Sequence, residues 1–263
     1  MPIHCPISFP QLTTAEMQSL DFEVMRHAFA THNALGNQCD EAVYKAHLAH
    51  RLAAAGFQAE REVSLTLSFR TFCKQLALDL VVNRRAIYEF KAVARLSEAH
   101  VMQLLNYLFL ANAARGKLVN FRPGSVEARF VNAVLDQLDR RRFRVDDSNW
   151  HGEASFRELI LELVRDWGTG LDQSLYTQAL IHCLGGEEVV TRQVPMQLEG
   201  QSLGNQRFHL VAADTAFRLT SYQDRVGTLH QDQLRKLLAP SPLKALYWVN
   251  IARHEVSLQT INL

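Results

Sequence analysis

No two of the four cysteines, Cys5, Cys39, Cys73 and Cys183, form a C-x-x-C pair, so neither a local zinc knuckle nor a dithiol redox motif can be built, and reduced thiols are expected. Charge of one sign is not in excess either. The 28 Lys and Arg nearly balance the 27 Asp and Glu, and a formal net charge of +1 gives no global attraction to nucleic acid. Such binding has to come from local patches, for which Arg84 with Arg85 and the run Arg140, Arg141, Arg142 and Arg144 are candidates, a solvated surface being their plainer reading. Long apolar runs are missing as well: LLNYLFLANAA at 104–114 is interrupted by Asn106 and Asn112 and is too short for a bilayer about 30 Å thick. The opening MPIHCPISFPQLTTAEM has no basic stretch followed by a long apolar one, so a cytoplasmic chain without a membrane partner is expected. What is present is 48% apolar composition in 263 residues, enough for the cores of one large or two small domains.

Thr13-x-x-Glu16 is a capping-box pattern that predicts a helix through about Ala30, and a second helix is expected from about Asp40 to Ala55, closed by Gly56. Val63, Leu65, Leu67 and Phe69 alternate with polar residues at the period of a half-buried strand. LALDLVV (76–82) and AIYEFKAV (86–93) are separated by Asn83, Arg84 and Arg85, which predicts an antiparallel hairpin. Ser97 opens a helix to about Asn112, and Gly116 precedes a strand, KLVNF. The order of helices, three-stranded meander, helix and strand is that of an α/β fold with a mixed sheet.

GNQCDEAVYKAHLAHRL from Gly36 has an echo in GTGLDQSLYTQALIHCL from Gly168. Tyr44 pairs with Tyr176 and Leu48 with Leu180 at an offset of 132, Val63 with Val194 at 131, and Gln103 with Gln233 and Asn120 with Asn250 at 130. The slow drift in one direction predicts a tandem duplication with small deletions, chance pairing of common residues being the alternative. The polar VDDSNWHGE at 145–153 is the expected break, giving domains 1–148 and 149–263.

With the hairpin centred on Arg84, Asp79 faces Glu89, and like charges directly opposite one another are destabilising. A hard divalent cation such as Mg²⁺ would compensate them, since it takes one or two carboxylates from protein. Lys91, two residues beyond Glu89, points to the same face. Gln103 and Tyr107 share one face of the later helix, and Glu41 and Tyr44 one face of the earlier helix. Two acids, a lysine, a third acid and an amide suit metal-assisted phosphodiester hydrolysis. The plainer alternatives are an exposed Asp79–Glu89 pair neutralised by Lys91, a surface acid at Glu41, and packing roles for Gln103 and Tyr107.

Asp79, Glu89-x-Lys91 and Gln103-x-x-x-Tyr107 together resemble the PD-(D/E)XK nuclease superfamily, including its RecB-like branch with a Q-x-x-x-Y helix. More narrowly, LGNQCDEAVY, the D-L-V-V strand, YEFKAV, QLLNYL and LVNF resemble the GxxExxY family over about residues 14–133. The resemblance implies that Asp79 and Glu89, with Glu41 as the helix acid, ligate Mg²⁺ or Mn²⁺, that Lys91 assists the attacking water and that Gln103 positions substrate or lysine. Tyr44, Tyr107, Arg84 and Arg85 are the candidates for contact with a nucleic-acid substrate, DNA ahead of RNA. The glycine that the family places three residues before the helix acid is Gln38 here.

In the second repeat the corresponding positions read Gln173, His209, Arg218 and Thr220, so a degenerate second copy of the fold is expected, each copy a mixed central sheet flanked by helices. A Mg²⁺-dependent nuclease is the leading expectation, with a homo-oligomer or an intramolecular pseudo-dimer of the two repeats. A catalytically inactive nucleic-acid-binding or assembly module is the alternative, and a glycosidase using the two acids a third.

Overall fold

The computed structural model describes residues 2–223 and 228–263. The chain divides into two compact units, residues 1–68 with 73–137 and residues 69–72 with 138–263.

The elements from the N-terminus are β1 (Ile3–His4), α1 (Thr14–Leu35), α2 (Glu41–Ala54), β2 (Ala59–Phe69), β3 (Phe72–Val82), β4 (Ala86–Lys91), α3 (Glu98–Ala111), β5 (Arg115–Asn120) and β6 (Glu127–Asn132). The expected capping box forms: Thr13 N and Oγ1 donate to Glu16 Oε2, and Glu16 N donates back to Thr13 Oγ1. α1 runs past the predicted Ala30, because nothing in THNAL interrupts a helix until Gly36 at φ +69.

The strands of this first unit form one mixed sheet in the order β1-β2-β3-β4-β5-β6, with β3–β4 and β5–β6 antiparallel and β4–β5 parallel. Its central strand β4 is buried along all six residues, and Glu89 and Lys91 are its only charged groups. On one face Ala86, Tyr88 and Phe90 of β4 pack with Leu80 and Val119 against Val24 and Ala28 of α1 and Leu48 and Leu52 of α2. On the other, α3 closes on β5 at Gly116, where an added Cβ would stand 3.1 Å from Ile87 O and from the side chains of Leu104 and Leu108.

The second unit contains α4 (Gln137–Arg141), β7 (Arg144–Asn149), α5 (Ala154–Trp167), α6 (Gln173–Cys183), α7 (Glu187–Val190), β8 (Thr191–Leu198), β9 (Gln201–Ala212), β10 (Thr215–Thr220), α8 (Thr228–Leu238), β11 (Ala245–Ile251) and β12 (Glu255–Asn262). Its sheet is also mixed and six-stranded, in the order β7-β12-β11-β10-β9-β8. β9–β10 is antiparallel, β10–β11 parallel and β11–β12 antiparallel, the same sequence of pairings as β3 to β6. The polar 145–149 segment, read as part of a break, is strand β7, paired only with β12 at the sheet edge. An edge strand tolerates polar side chains on both faces, which is why no hydrophobic alternation announced it.

Two clasps recur in both units. Tyr44 OH donates to Gly36 O at 2.8 Å and accepts from Cys39 N, while Tyr176 OH donates to Gly168 O at 2.5 Å and accepts from Leu171 N. Each pins the loop ahead of its helix. Asn120 accepts from Val93 N and donates to Val93 O, and Asn250 does the same for Tyr222, fixing the chain two residues past the end of β4 and of β10.

The basic run at 140–144 is divided, Arg140 being buried while Arg141, Arg142 and Arg144 are exposed. Arg140 is 1% exposed and donates to Thr169 O and Trp167 O, Arg141 donates to Asp166 O, and Arg144 pairs with Glu255 at 2.7 Å.

Candidate active site

The β3–β4 ladder runs from Val82–Ala86 to Leu80–Tyr88. Beyond it the expected Asp79–Glu89 step is replaced by a side-chain bond: Asp79 Oδ2 accepts from Phe90 N at 2.8 Å. A side chain thus takes the donor that a ladder would use, and both acids stand where the strands part. Asp79 is 7% exposed, Glu89 2% and Lys91 8%, so the site lies in low-dielectric surroundings that favour neutral or paired groups.

Lys91 Nζ donates to Glu89 Oε1 at 2.7 Å. Lys45 of α2 donates to Asp79 Oδ1 at 2.8 Å and to Glu62 of β2 at 2.7 Å, and its Nζ lies 3.9 Å from Glu41. Two lysines therefore answer the acids, where the sequence reading named only Lys91. Lys45 and Glu62 were missed because surface helix lysines and strand glutamates are common; the one available signal was that Lys45 is four residues after Glu41, on the same helix face.

Burial first, and then the charge of Asp79, push the Glu89 carboxyl up to about 8, with Lys91 opposing the rise. Burial works against the charge of Lys91, but the Glu89 charge and hydrogen bond, with Glu41 and Asp79, outweigh it and hold the ammonium above its ordinary range. Burial raises Glu41 as well; Lys91 and Lys45 pull it down while Asp79 and Glu62 push it up, so this half-buried acid at the start of α2 belongs to the same electrostatic cluster. On α3, Gln103 Nε2 donates to Tyr107 OH at 3.2 Å. Burial raises the Tyr107 phenol, Gln103 lowers it, and Glu89 and Asp79 add to the rise, which sets this helix face against the acids.

The structure thus brings Glu41, Asp79, Glu89, Lys91, Gln103 and Tyr107 together and leaves three candidates out. Tyr44 is fully buried, stacked on Phe121 at 4.6 Å with its hydroxyl committed to the loop clasp, so it braces α2 and does not meet a substrate. Arg84 and Arg85 occupy the hairpin turn, about four strand residues or roughly 13 Å from Glu89. There Arg84 donates to Pro6 O and Glu60, and Arg85 pairs with Glu16 at 2.7 Å.

A hard divalent ion fits the donor set of Asp79 and Glu89. Glu89 Oε2 is buried with no hydrogen-bond partner, a vacant donor beside a second carboxylate. Among the described residues no group of three or more His, Cys, Asp or Glu side chains is placed to hold a metal ion, so Glu41 does not join Asp79 and Glu89 in a ready-made three-acid cage.

The first unit thus places two carboxylates and a lysine where the central strands of a mixed α/β fold part, with a helix acid in the same electrostatic cluster. Residues 18–133, from α1 to the end of β6, match the family model of the PD-(D/E)XK nuclease superfamily. Members of that superfamily are typically nucleases that act on nucleic acid and generally use divalent metal ions. No curated protein and no solved structure matches the chain. Among the described residues no helix is long and apolar enough to cross a membrane.

Proposed function

We propose that the chain is a Mg²⁺-dependent nuclease, Mn²⁺ substituting, that hydrolyses phosphodiester bonds of DNA ahead of RNA through the centre Asp79, Glu89 and Lys91. The observation that carries this reading is Glu89 Oε2, which is buried without a hydrogen-bond partner within electrostatic reach of Asp79. Asp79 and Glu89 would hold the ion, with Glu41 reaching it from the start of α2. When bound, the ion supplies charge to the phosphate oxygens and a more acidic water. Lys91 would orient a water and face developing negative charge, Lys45 holds Asp79 in place, and Gln103 would aim an amide at substrate or lysine from α3. The blocks from LGNQCDEAVY to LVNF favour the narrower GxxExxY likeness within the superfamily, with residues 1–148 as the nuclease domain.

The shared order of pairings and the two recurring clasps support the second unit, residues 149–263 by the sequence reading, as a degenerate tandem copy that kept its scaffold and lost its acids. A register shift at Thr215/Ala216 corrects one correspondence: His209 lies opposite Phe217, the place that Leu80 holds opposite Tyr88.

Incubating the purified chain with labelled single-stranded and duplex substrates tests the nuclease reading. Cleavage is expected in Mg²⁺ or Mn²⁺ and lost in EDTA, and Asp79→Ala and Lys91→Ala are expected to lower it by about a hundredfold or more. Metal-dependent cleavage that survives both substitutions would reject the centre. The second reading, a non-catalytic nucleic-acid-binding or assembly module, draws on the two ion pairs that already neutralise Asp79 and Glu89. Salt-sensitive binding without turnover in either metal would select it.

A further inference from the structure

The second unit has its own fork. β9 and β10 are paired from Ala212–Thr215 to His209–Phe217, and beyond that pair lies a cavity of about 220 Å³. Gln173 and Thr177 of α6, Arg207 and His209 of β9, Arg218 of β10 and Leu237 of α8 line it, with apolar neighbours and no carboxylate. α6 stands before this sheet as α2 stands before the first, and Gln173 and Thr177 are four apart as Glu41 and Lys45 are. The same place in the topology that gathers three acids in the first unit therefore gathers three basic side chains in the second.

These side chains are not equally committed. Arg207 pairs with Glu187 at 2.5 Å, and His209 Nδ1 shares a 2.8 Å hydrogen bond with Thr191 Oγ1. Arg218 is exposed at the cavity and has no carboxylate partner among the described residues. Gln173 Nε2 donates to Leu219 O at 2.6 Å, which fixes the amide at the cavity wall and leaves its second N–H to donate.

We propose that this cavity binds a phosphate group, with the Arg218 guanidinium as its two-pronged donor and Gln173, Arg207 and His209 around it. A guanidinium fork matches tetrahedral phosphate oxygens, and at the cavity the exposed Arg218 and the spare N–H of Gln173 supply donors with no carboxylate in the lining. The phosphodiester of a nucleic-acid strand and free inorganic phosphate share this chemistry. The inference goes beyond the nuclease reading, since it concerns binding by the second unit and holds whether or not the first unit cleaves.

The test uses the full chain in EDTA, where cleavage is silent. Anisotropy of a fluorescein-labelled single strand of about 20 nucleotides is measured against salt, and the thermal midpoint against inorganic phosphate. For a backbone site, Arg218→Ala weakens the oligonucleotide about tenfold and lowers the salt slope by about 1, with Arg218→Lys recovering part of the loss. For a free-phosphate site, oligonucleotide binding is unchanged while phosphate raises the midpoint of the wild type and not of Arg218→Ala. Either result supports the cavity and tells its source. Because Arg218 is exposed, both variants should melt within about 2 °C of the wild type, which separates lost binding from lost folding. If Arg218→Ala and the wild type behave alike in both measurements, the proposal is overturned. A failure of cleavage in Mg²⁺ with the Arg218 effect intact overturns the nuclease reading alone.

Discussion

Glu89 is a carboxyl that burial and Asp79 push toward its neutral form in spite of the Lys91 ammonium 2.7 Å away. Its ordinary value of 4.5 is pushed up to about 8 by burial and by Asp79, so folding without metal favours the protonated form. The stability this gives is fully present below about pH 4.5 and is lost as pH rises through about 8, a change of up to about 5 kcal/mol by linkage. In EDTA the wild type should therefore lose stability relative to Glu89→Gln between pH 5 and about 8, because the glutamine keeps the neutral shape at every pH. Added Mg²⁺ should reverse the order at the upper end, raising the wild-type midpoint and leaving Glu89→Gln unmoved. Thermal melts of both chains across that range, with and without the ion, would reject the assignment if the two curves stayed parallel. Glu89 and Lys91 were legible in sequence because charged residues inside the apolar strand AIYEFKAV break its pattern. Lys45 was not, since an ordinary helix lysine reveals its partner only once α2 is placed over β3.

At the scale of elements, the loop clasps explain which parts of the repeat could be read. Tyr44 and Tyr176 are buried, and each hydroxyl satisfies a carbonyl and an N–H of a loop that has no regular ladder of its own. A residue held at both ends tolerates little change, and these two tyrosines are among the pairs that the sequence matches at a fixed offset. Tyr44→Phe and Tyr176→Phe should each cost about 1–3 kcal/mol in urea melts, the penalty of leaving buried partners unpaired, with the larger loss at Tyr176, whose hydroxyl also serves the buried Arg140 guanidinium. A loss at Tyr44 as large as that at Tyr176 would mean that the Arg140 bond adds nothing to the second clasp. The function assigned to Tyr44 from sequence failed for the same physical reason, because its position beside Glu41 could not tell a core-facing ring from one that faces the cleft. Gly116 is a second test: an Ala there crowds Ile87 O, Leu104 and Leu108, and a rigid carbonyl cannot give as a side-chain end can. Overpacking at the α3–β5 seam should cost about 1–3 kcal/mol, and a neutral Gly116→Ala would show that α3 is free to shift. Strands β2 to β5 were legible to within a few residues, whereas the edge strands β1, β6 and β7 were not, because a strand with one neighbour and wet faces demands no hydrophobic alternation.

For the whole chain, the count of competent centres decides the product. The second fork holds Arg218 and Thr220 where the first holds Glu89 and Lys91, and an arginine and a threonine cannot supply hard carboxylate donors for Mg²⁺. On the proposed nuclease reading, one chain offers one such centre among the described residues, and two backbone cuts would need two separate events or two chains. On supercoiled duplex DNA with limiting protein, open circles should accumulate first and linear product should follow with a lag. If a chain that sediments as a monomer produced linear DNA with no circular intermediate, the one-centre account would fail, and with it the view that the second unit is catalytically empty. If linear product instead rose with the square of protein concentration, two chains would be acting together, and each would still contribute a single centre built on Asp79 and Glu89.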